Sequence, residues 1–412
     1  MYVGDSPAQS QVRAEARAWL QSNPPPEVDP AAGQVARLAA ARTWQRVLHD
    51  NGWAGLSWPR ELGGRAWTSV EVAIFQQEET KVLDWHTLKR PFNVALNLAA
   101  PALMEFGTAD QRNAHLPAIL RGDEFWCQLF SEPGAGSDLA ALSTRAVRDG
   151  NQFVVTGQKV WTSYAHYADY GLLLARTNPD VSKHKGISYF VIDMKTPGIT
   201  VRPLRQMSGA TEFNEVFFDD VVVPASCLIG EQDNGWTVAH ATLASERQYL
   251  GAMVFTERKY PTLHAAAQRS RTTHDPIVRQ RLAACYTREQ ILRYLGFRVQ
   301  TSIGRQQPVG AIGSVLKLAQ ARHVVITAED AMSLTAPAAL GADTIDIDAF
   351  TIRTEFLASP GMRIGGGTDN IQMQAVAERI LGLPRERSDG RDVAWRDLQR
   401  LQQRPVDRNE NG

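Results

Sequence analysis

Four short segments carry residue types that could do chemistry. The first is Phe130-Ser131-Glu132-Pro133-Gly134-Ala135-Gly136-Ser137-Asp138. Glycines and a proline between an apolar run and a polar turn let several backbone N–H groups approach an anion or a flat cofactor. The segment lacks the lysine and spacing of a P-loop and is not a GxGxxG fingerprint, so alone it reads equally as a turn between strands. The second, Gln158-Lys159-Val160-Trp161-Thr162-Ser163, sets an indole beside two hydroxyls. That offers a flat ring an apolar wall and hydrogen-bonding groups, or it is a strand with one buried aromatic. The third, Gly365-Gly366-Gly367-Thr368-Asp369-Asn370, precedes an apolar helical run from Ile371. Free amides and the dipole at a helix start favour an anion such as a diphosphate, and Thr368 or Asp369 can also cap that helix.

The fourth is a carboxylate. Between Trp236 and Val254, residues Ala239, Leu243, Glu246, Leu250 and Met253 step by four and three along one helix stripe. A carboxylate among apolar neighbours must be paired or carry a raised pKa, and a raised pKa suits a general base. Glu289 stands on a comparable stripe with Leu282, Cys285 and Leu292. Such a residue is more often partnered by an arginine, and Arg247 and Arg288 adjoin the two candidates.

These segments must be positioned by elements of two kinds. Up to about Gly122, helical spacing dominates, as in 11–20, 34–49 and 69–82, broken at Asn23-Pro24-Pro25-Pro26 and Trp58-Pro59. From about Phe125 to Gly230, short β-branched and aromatic runs recur between turn residues: 153–155, 171–174, 187–192 and 216–218. That grammar predicts an antiparallel barrel or sandwich, with no helices alternating between strands. After Gly235 helical spacing returns, over 236–254, 278–301 and 314–332, and continues to about Arg400; a polar tail closes the sequence. No internal repeat is evident.

Composition narrows the classes. The chain has 412 residues, enough for two or three packed units, and 44 basic residues balance 44 acidic ones. A net charge of zero gives no broad field for nucleic acid or an anionic membrane, and no apolar run approaches a membrane span. Cys127, Cys227 and Cys285 are odd in number and never in a CxxC pair, which predicts reduced thiols, a cytoplasmic setting and no zinc site. Met1 to Asp5 has no basic stretch followed by an apolar core, so no secretory leader is expected.

Taken together, the segments resemble the acyl-CoA dehydrogenase family. The resemblance rests on Trp126-Cys127-Gln128 with Phe130 to Asp138, Gly157-Gln158-Lys159-x-Trp161-Thr162-Ser163, Phe213 to Val221, and Gly366-Gly367-Thr368 through Glu378-Arg379-Ile380-Leu381-Gly382. It runs from about Gly52 to Glu386. It implies a mainly α chain with a central β-domain: an N-terminal α-helical domain (1–124), a middle antiparallel β-barrel domain (125–232), a C-terminal four-helix bundle (233–400) and a flexible tail (401–412).

The resemblance also implies roles. Gln128, Phe130, Ser131, Gly136 and Ser137 would line FAD; Trp161 would cover its ring system, with Thr162 and Ser163 at the polar edge. Thr368 and Asn370 would meet the diphosphate and adenosine portion, from the same or a neighbouring subunit. The family's Arg-x-x-Phe-Gly segment appears as Arg269-Ser270-Arg271-Thr272-Thr273-His274-Asp275, making Arg271 or Arg269 the arginine that reaches a neighbour's FAD. The family's Gln before Leu-Gly-Gly is replaced in Ala338-Ala339-Leu340-Gly341-Ala342. These two departures suit one subunit of a mixed complex.

Family members place their base just before the Gly-Thr pair or on the first helix of the C-terminal domain. Here the first place holds Gly366, and the second matches Glu246, as in isovaleryl-CoA dehydrogenase. The implied reaction is α,β-desaturation of an acyl thioester. Glu246 takes the α-proton, the β-hydrogen leaves as hydride to FAD, and the backbone N–H of Gly366 donates to the thioester carbonyl. An electron-transferring flavoprotein would take the electrons, and a dimer or tetramer, homo- or hetero-oligomeric, is expected. Related readings are a flavin oxidase of the acyl-CoA or nitroalkane oxidase type, the latter expected to use Asp, and a non-catalytic partner subunit.

Overall fold

The computed structural model describes residues 5–29, 32–243, 259–304, 307, 311–341, 347–385 and 393–402. Helices α1 (Pro7–Ser22), α2 (Gln34–Asp50), α3 (Ser69–Glu79), α4 (Trp85–Leu88), α5 (Ala100–Phe106) and α6 (Ala109–Arg121) open the chain. Their starts are written in the sequence: Ser6 with Gln9, Thr68 with Glu71 and Thr108 with Gln111 form reciprocal capping boxes. Trp44, Leu48, Phe75 and Leu103 from these helices share one buried core with Trp126, Leu172 and Tyr189 of the strands that follow. The helical layer and the sheet are therefore packed on each other.

Eight strands follow among the described residues: β1 (Trp126–Leu129), β2 (Arg145–Asp149), β3 (Gln152–Ser163), β4 (Tyr170–Arg176), β5 (Ile187–Asp193), β6 (Ile199–Pro203), β7 (Phe213–Pro224) and β8 (Leu228–Ile229). They form one sheet in the order β6-β7-β3-β2-β4-β5-β8, with β1 added beside β4. Most pairings are antiparallel, as the turn-punctuated pattern predicts. Two are not: β1 runs parallel to β4 over four residues, and Arg145 of β2 pairs in parallel with Arg176 of β4. The sheet is mixed where an antiparallel barrel was expected. The β2–β3 excursion between β1 and β4 supplies the long crossover that a parallel pair requires.

Helical structure resumes over 235–243 (α7), then in α8 (Tyr260–Arg269), α9 (Pro276–Gly304), α10 (Ile312–Gly341), α11 (Ile347–Ala358), α12 (Asp369–Arg379) and α13 (Trp395–Gln402). Helix α10 packs against α8, α9, α11 and α12. The last described helix turns back onto the β-domain. Trp395 N donates to Val181 O at 2.8 Å, Arg396 N donates to Pro179 O at 3.1 Å, and Arg396 pairs with Asp180. The guanidinium of Arg176 lies 4.8 Å from the Trp395 ring centroid. Residues 403–412 of the expected tail lie outside the described residues.

Candidate functional site

Two buried charges hold the glycine-bearing loop after β1. Lys159 and Glu132 are 0% and 4% exposed, with Nζ and Oε1 2.8 Å apart. Lys159 Nζ also donates to the carbonyl of Phe130 at 3.0 Å. Glu132 further accepts from the N–H and hydroxyl of Ser143 and from the N–H of Thr144. Burial pushes the Glu132 carboxyl up, but the Lys159 charge and these donors outweigh it and hold its pKa at about 2. A buried ion pair persists when its remaining lone pairs are satisfied in this way. Arg176 completes the frame, donating to the carbonyls of Ala140 and Lys183 at 2.7 Å each. Glu132, Lys159 and Arg176 were given no role on sequence grounds. The alternation along β3 carries the signal for Lys159, which shares parity with buried Phe153 and Val155.

The same frame brings the first two segments together. Val160 N donates to Ser131 O at 2.9 Å, so the loop runs beside the end of β3. Pairing with β7 shifts register between Lys159 and Thr162, and Trp161 within this bulge takes a left-handed φ of 60°. Bulges re-aim side chains. Trp161 accordingly stands 60% exposed, edge-on to Phe213 at 5.9 Å, while Thr162 on the other side of the strand is buried. Thr162 Oγ1 has no hydrogen-bond partner among the described residues, and its carbonyl accepts from Asn214 Nδ2 at 2.9 Å. Phe130 is buried beneath the loop, Gln128 and Ser163 are half-buried, and Gly136 and Ser137 are open to solvent.

The stripe assigned to the carboxylate begins in α7. Its first two members behave as expected: Ala239 is buried and Leu243 packs against the shared core. Glu246, Leu250 and Met253 lie outside the described residues. What docks α7 is nonetheless visible. Phe130 meets Tyr189 edge-on at 5.7 Å, and the Tyr189 hydroxyl lies 3.2 Å from Thr242 Oγ1 of α7. A side chain at Gly235 would place its Cβ 2.5 Å from the backbone of Ser188, so only glycine lets the helix start so close to β5.

The third segment sits on the bundle. Thr368 caps α12, accepting from Ile371 N at 3.3 Å, which fixes the cap as Thr368 and not Asp369. Asp369 is buried and paired with Arg363 at 2.7 Å, while Asn370 is exposed. Gly366 and Gly367 are both left-handed, at φ 66° and 92°. Lys317 of α10 grips this turn from below, donating to the carbonyls of Met362 and Gly367 at 2.9 and 2.7 Å. Gln372 Nε2 donates to the Gly366 carbonyl at 3.1 Å. Lys317 and Gln372 had no place in the sequence reading. Arg271 lies in the left-handed turn between α8 and α9, exposed, and belongs to neither group.

Glu289 is a structural carboxylate. Its Oε1 accepts from Tyr260 N at 2.6 Å, at the start of α8. Burial raises its pKa, but His323 and the amides of Tyr260 and Lys259 more than reverse that, leaving it lowered. Cys285, Glu289 and His323 converge within 4.8 Å, a spacing a metal could use. Arg288 Nε, which can only donate, points at His323 Nδ1 at 3.2 Å. The ring proton therefore sits on Nε2, 3.8 Å from Glu289, where a metal would need a lone pair.

Sequence profiles of known families match in three consecutive stretches: acyl-CoA dehydrogenase, N-terminal domain, over 6–123; middle domain, over 127–221; and C-terminal domain, over 233–381. The chain belongs to the acyl-CoA dehydrogenase family. Acyl-CoA dehydrogenase FadE34 of Mycobacterium tuberculosis (strain ATCC 25618 / H37Rv) is 40% identical over 361 residues, covering 87% of this chain. The chain spans about half of FadE34, 48% of its length. Acyl-CoA dehydrogenase IpdE1 of the same organism is 34% identical over 389 residues, covering 91% of this chain and 97% of IpdE1. Among solved structures, the Tcur3481-Tcur3483 steroid ACAD superposes with a TM-score of 0.80 at 29% identity, covering 94% of this chain and 100% of that one.

The acyl-CoA dehydrogenase family is flavin-dependent. The residues of this chain fit a flat, partly polar cofactor on two counts. Trp161 presents an open aromatic face beside the Ser131 loop, and the Thr162 hydroxyl is a buried group lacking a partner among the described residues. A buried hydroxyl without a partner is costly, and a bound acceptor or donor removes the cost.

Proposed function

We propose that the chain is an FAD-dependent acyl-CoA dehydrogenase that desaturates an acyl thioester between its α and β carbons. The observation that carries this reading is the joining of Trp161, Thr162 and Ser163 to the Ser131 loop by the Lys159–Glu132 frame. FAD, when bound, supplies the acceptor for the β-hydrogen and its electrons. Gln128, Phe130, Ser131, Gly136, Ser137, Trp161, Thr162 and Ser163 hold it on the β-domain side. Thr368, Asn370 and Arg271 serve it from the bundle of this chain or of a second one. Glu246 removes the α-proton, an assignment supported by its place on the stripe that begins at Ala239 and Leu243. The Gly366 N–H donates to the thioester carbonyl; among the described residues the turn's hydrogen bonds engage the amides of Ile364 and Gly365 and the carbonyls of Gly366 and Gly367, leaving that N–H out. Donors aimed at developing negative charge lower the barrier to α-proton removal.

The acyl group is steroid-derived in this reading, supported by the likeness to the Tcur3481-Tcur3483 steroid ACAD. Assembly with a second chain is supported by the ChsE4-ChsE5 complex from Mycobacterium tuberculosis, which superposes at a TM-score of 0.78 with 28% identity over 94% of this chain. An electron-transferring flavoprotein is the proposed acceptor.

Anaerobic titration with a panel of linear, branched and steroid-derived acyl-CoAs tests the reading by loss of flavin absorbance. Bleaching is expected with the steroid-derived thioesters. Glu246→Gln should keep FAD yet lose bleaching by several orders of magnitude. Full-rate bleaching by that variant would move the base elsewhere, and failure of the wild type to retain FAD would remove the reading altogether.

A further inference from the structure

One buried side chain with no place among the flavin contacts holds the strand that carries Trp161. Lys159 pairs with Val216 and Thr162 with Asn214, so Val160 and Trp161 of β3 stand opposite the single residue Glu215 of β7. Two residues against one make a β-bulge, and the left-handed φ of 60° at Trp161 lies within it. Pairing ends at Ser163 and Phe213, and Tyr164 then turns the chain with a second left-handed φ, of 57°. That region is disfavoured for large aromatic residues, so backbone strain sits on both sides of Thr162 and Ser163. Such strain persists only where the surroundings impose it.

Asn214 is placed to impose it. It is fully buried, and directly paired residues point to the same face of a sheet, so its side chain lies beside that of Thr162. Its amide nitrogen donates to the Thr162 carbonyl at 2.9 Å and to the Glu212 carbonyl at 3.1 Å. The Glu212 carbonyl also accepts from Tyr164 N at 2.7 Å. A single NH2 group therefore ties the chain just after the first left-handed residue to the anchor of the second. Both of its hydrogens are used, which fixes the amide: turned over, it would set an oxygen against two carbonyl oxygens. In this orientation Oδ1 has no partner among the described residues. A buried unpaired oxygen is costly, and the two donated bonds are what offset it. The residue before it, Phe213, meets the Trp161 ring edge-on at 5.9 Å. The same short piece of β7 thus touches the indole and holds the backbone behind it.

We infer that Asn214 is a positioning residue for the flavin face: by bridging the Thr162 and Glu212 carbonyls it holds the Trp161 bulge in the form that presents the indole to the cofactor. The inference rests on the flavin reading above. Asn214 acts through Trp161, from behind the strand. Leucine in its place fills a similar volume but donates nothing. Both carbonyls then lose their donor, and the bulge loses the side chain that keeps it in shape.

The test is a double-mutant cycle on FAD affinity, measured by isothermal titration of the full chain. Asn214→Leu and Trp161→Ala should each weaken FAD binding about tenfold. Because Asn214 acts through Trp161, the double variant should stay near the Trp161→Ala value, whereas independent effects would multiply to about a hundredfold. Asn214→Ser, which keeps one donor, should recover part of the loss. Far-UV circular dichroism confirms that each variant is folded. Wild-type affinity in folded Asn214→Leu overturns the inference. So does multiplication in the double variant, since a merely structural asparagine would weaken binding whether or not the indole is there. If neither Asn214 variant folds, the amide serves the fold alone and the positioning role is overturned as well. Failure of the wild type to bind FAD is a different result, which removes the flavin reading itself, whereas a wild type that binds with additive variants removes only the role of Asn214.

Discussion

The loop at 130–144 and the turn at 361–369 both place glycines where a cofactor contact is proposed, yet they are held in opposite ways. The loop is fastened from within. Lys159, Glu132 and Arg176 are buried beneath it, and their donors and acceptors are spent on its backbone. Among the described residues, side chains fasten the turn from one side, through Lys317 and Gln372, and its other side is open. Gly365 and Gly366 are exposed, and nearby Ile364, Ile380, Leu381 and Leu383 are 66%, 49%, 66% and 53% exposed. Large apolar side chains left in water along one stretch mark a surface that something covers. The lesson is that the loop is held entirely by groups buried beneath it, whereas the turn leaves an apolar surface exposed, which fits the second chain proposed above.

The comparison breaks most sharply at Glu132. Glu132→Gln leaves the Lys159 cation buried without a countercharge, and removing one partner of such a pair costs about 3–5 kcal/mol. Urea denaturation should show that loss together with release of FAD; a variant as stable as wild type would mean the frame does not hold the loop. Acid should act through the same carboxylate. Its folded pKa of about 2 is below the ordinary 4.5, so the unfolded chain binds more protons in between. Stability is then fully present above about 4.5 and falls as pH drops toward about 2. Glu78 titrates in the same window: burial raises it, and Arg17, Lys81 and Arg13 hold it at about 2. Glu132→Gln should therefore flatten the acid limb without abolishing it.

A smaller effect is expected at Trp395, where α13 reinforces the loop half from outside. Trp395→Ala removes the ring beside Arg176 and the indole hydrogen bond to Ala141 O. The cost should be about 2 kcal/mol, from the lost cation–π contact and aromatic packing. Limited proteolysis should then cut first within 138–144 or 178–183; an unchanged cleavage pattern would show that α13 is not what steadies these loops.

Sequence reasoning reached these two halves unequally, for physical reasons. Ser131, Trp161 and Thr162 were reached through ordered motifs that resemble a family, because order survives in a linear string. The Lys159–Glu132 pair spans 27 residues and depends on a register no local pattern states. Parallel β1 was missed since four residues beside β4 look like any short strand. On the bundle, a cap at Thr368 or Asp369 followed from local chemistry, but Lys317 grips the turn from 50 residues away. Glu246 was chosen by the family resemblance, with which its stripe agrees, and only Ala239 and Leu243 of that stripe fall within the described helix.

At Thr162 the expected effect concerns the cofactor and not the fold. Thr162→Val deletes a hydroxyl that has no hydrogen-bond partner among the described residues, so the apo-protein should be no less stable. FAD affinity should fall about tenfold if the hydroxyl meets the cofactor, since one hydrogen bond contributes about 1 kcal/mol and its loss also strands the flavin's own polar edge. Equal affinity in fluorescence quenching titrations would reassign the hydroxyl to packing.

The finest test separates capping from cofactor contact on the open half. Thr368→Ala loses the cap of α12 and should cost about 1 kcal/mol, whereas Thr368→Gly costs only about a few tenths because glycine is itself tolerated at that position. Both remove the hydroxyl. If Thr368 also touches the FAD diphosphate, the two variants should lose affinity alike, about fivefold, despite their different stabilities. If it only caps, affinity should follow stability, and Thr368→Gly should bind FAD nearly as wild type does. Repeating the titration across protein concentration sharpens the contrast. Affinity that rises with assembly belongs to a turn completed by a second chain, and affinity independent of it places Thr368 beside the cofactor of its own β-domain.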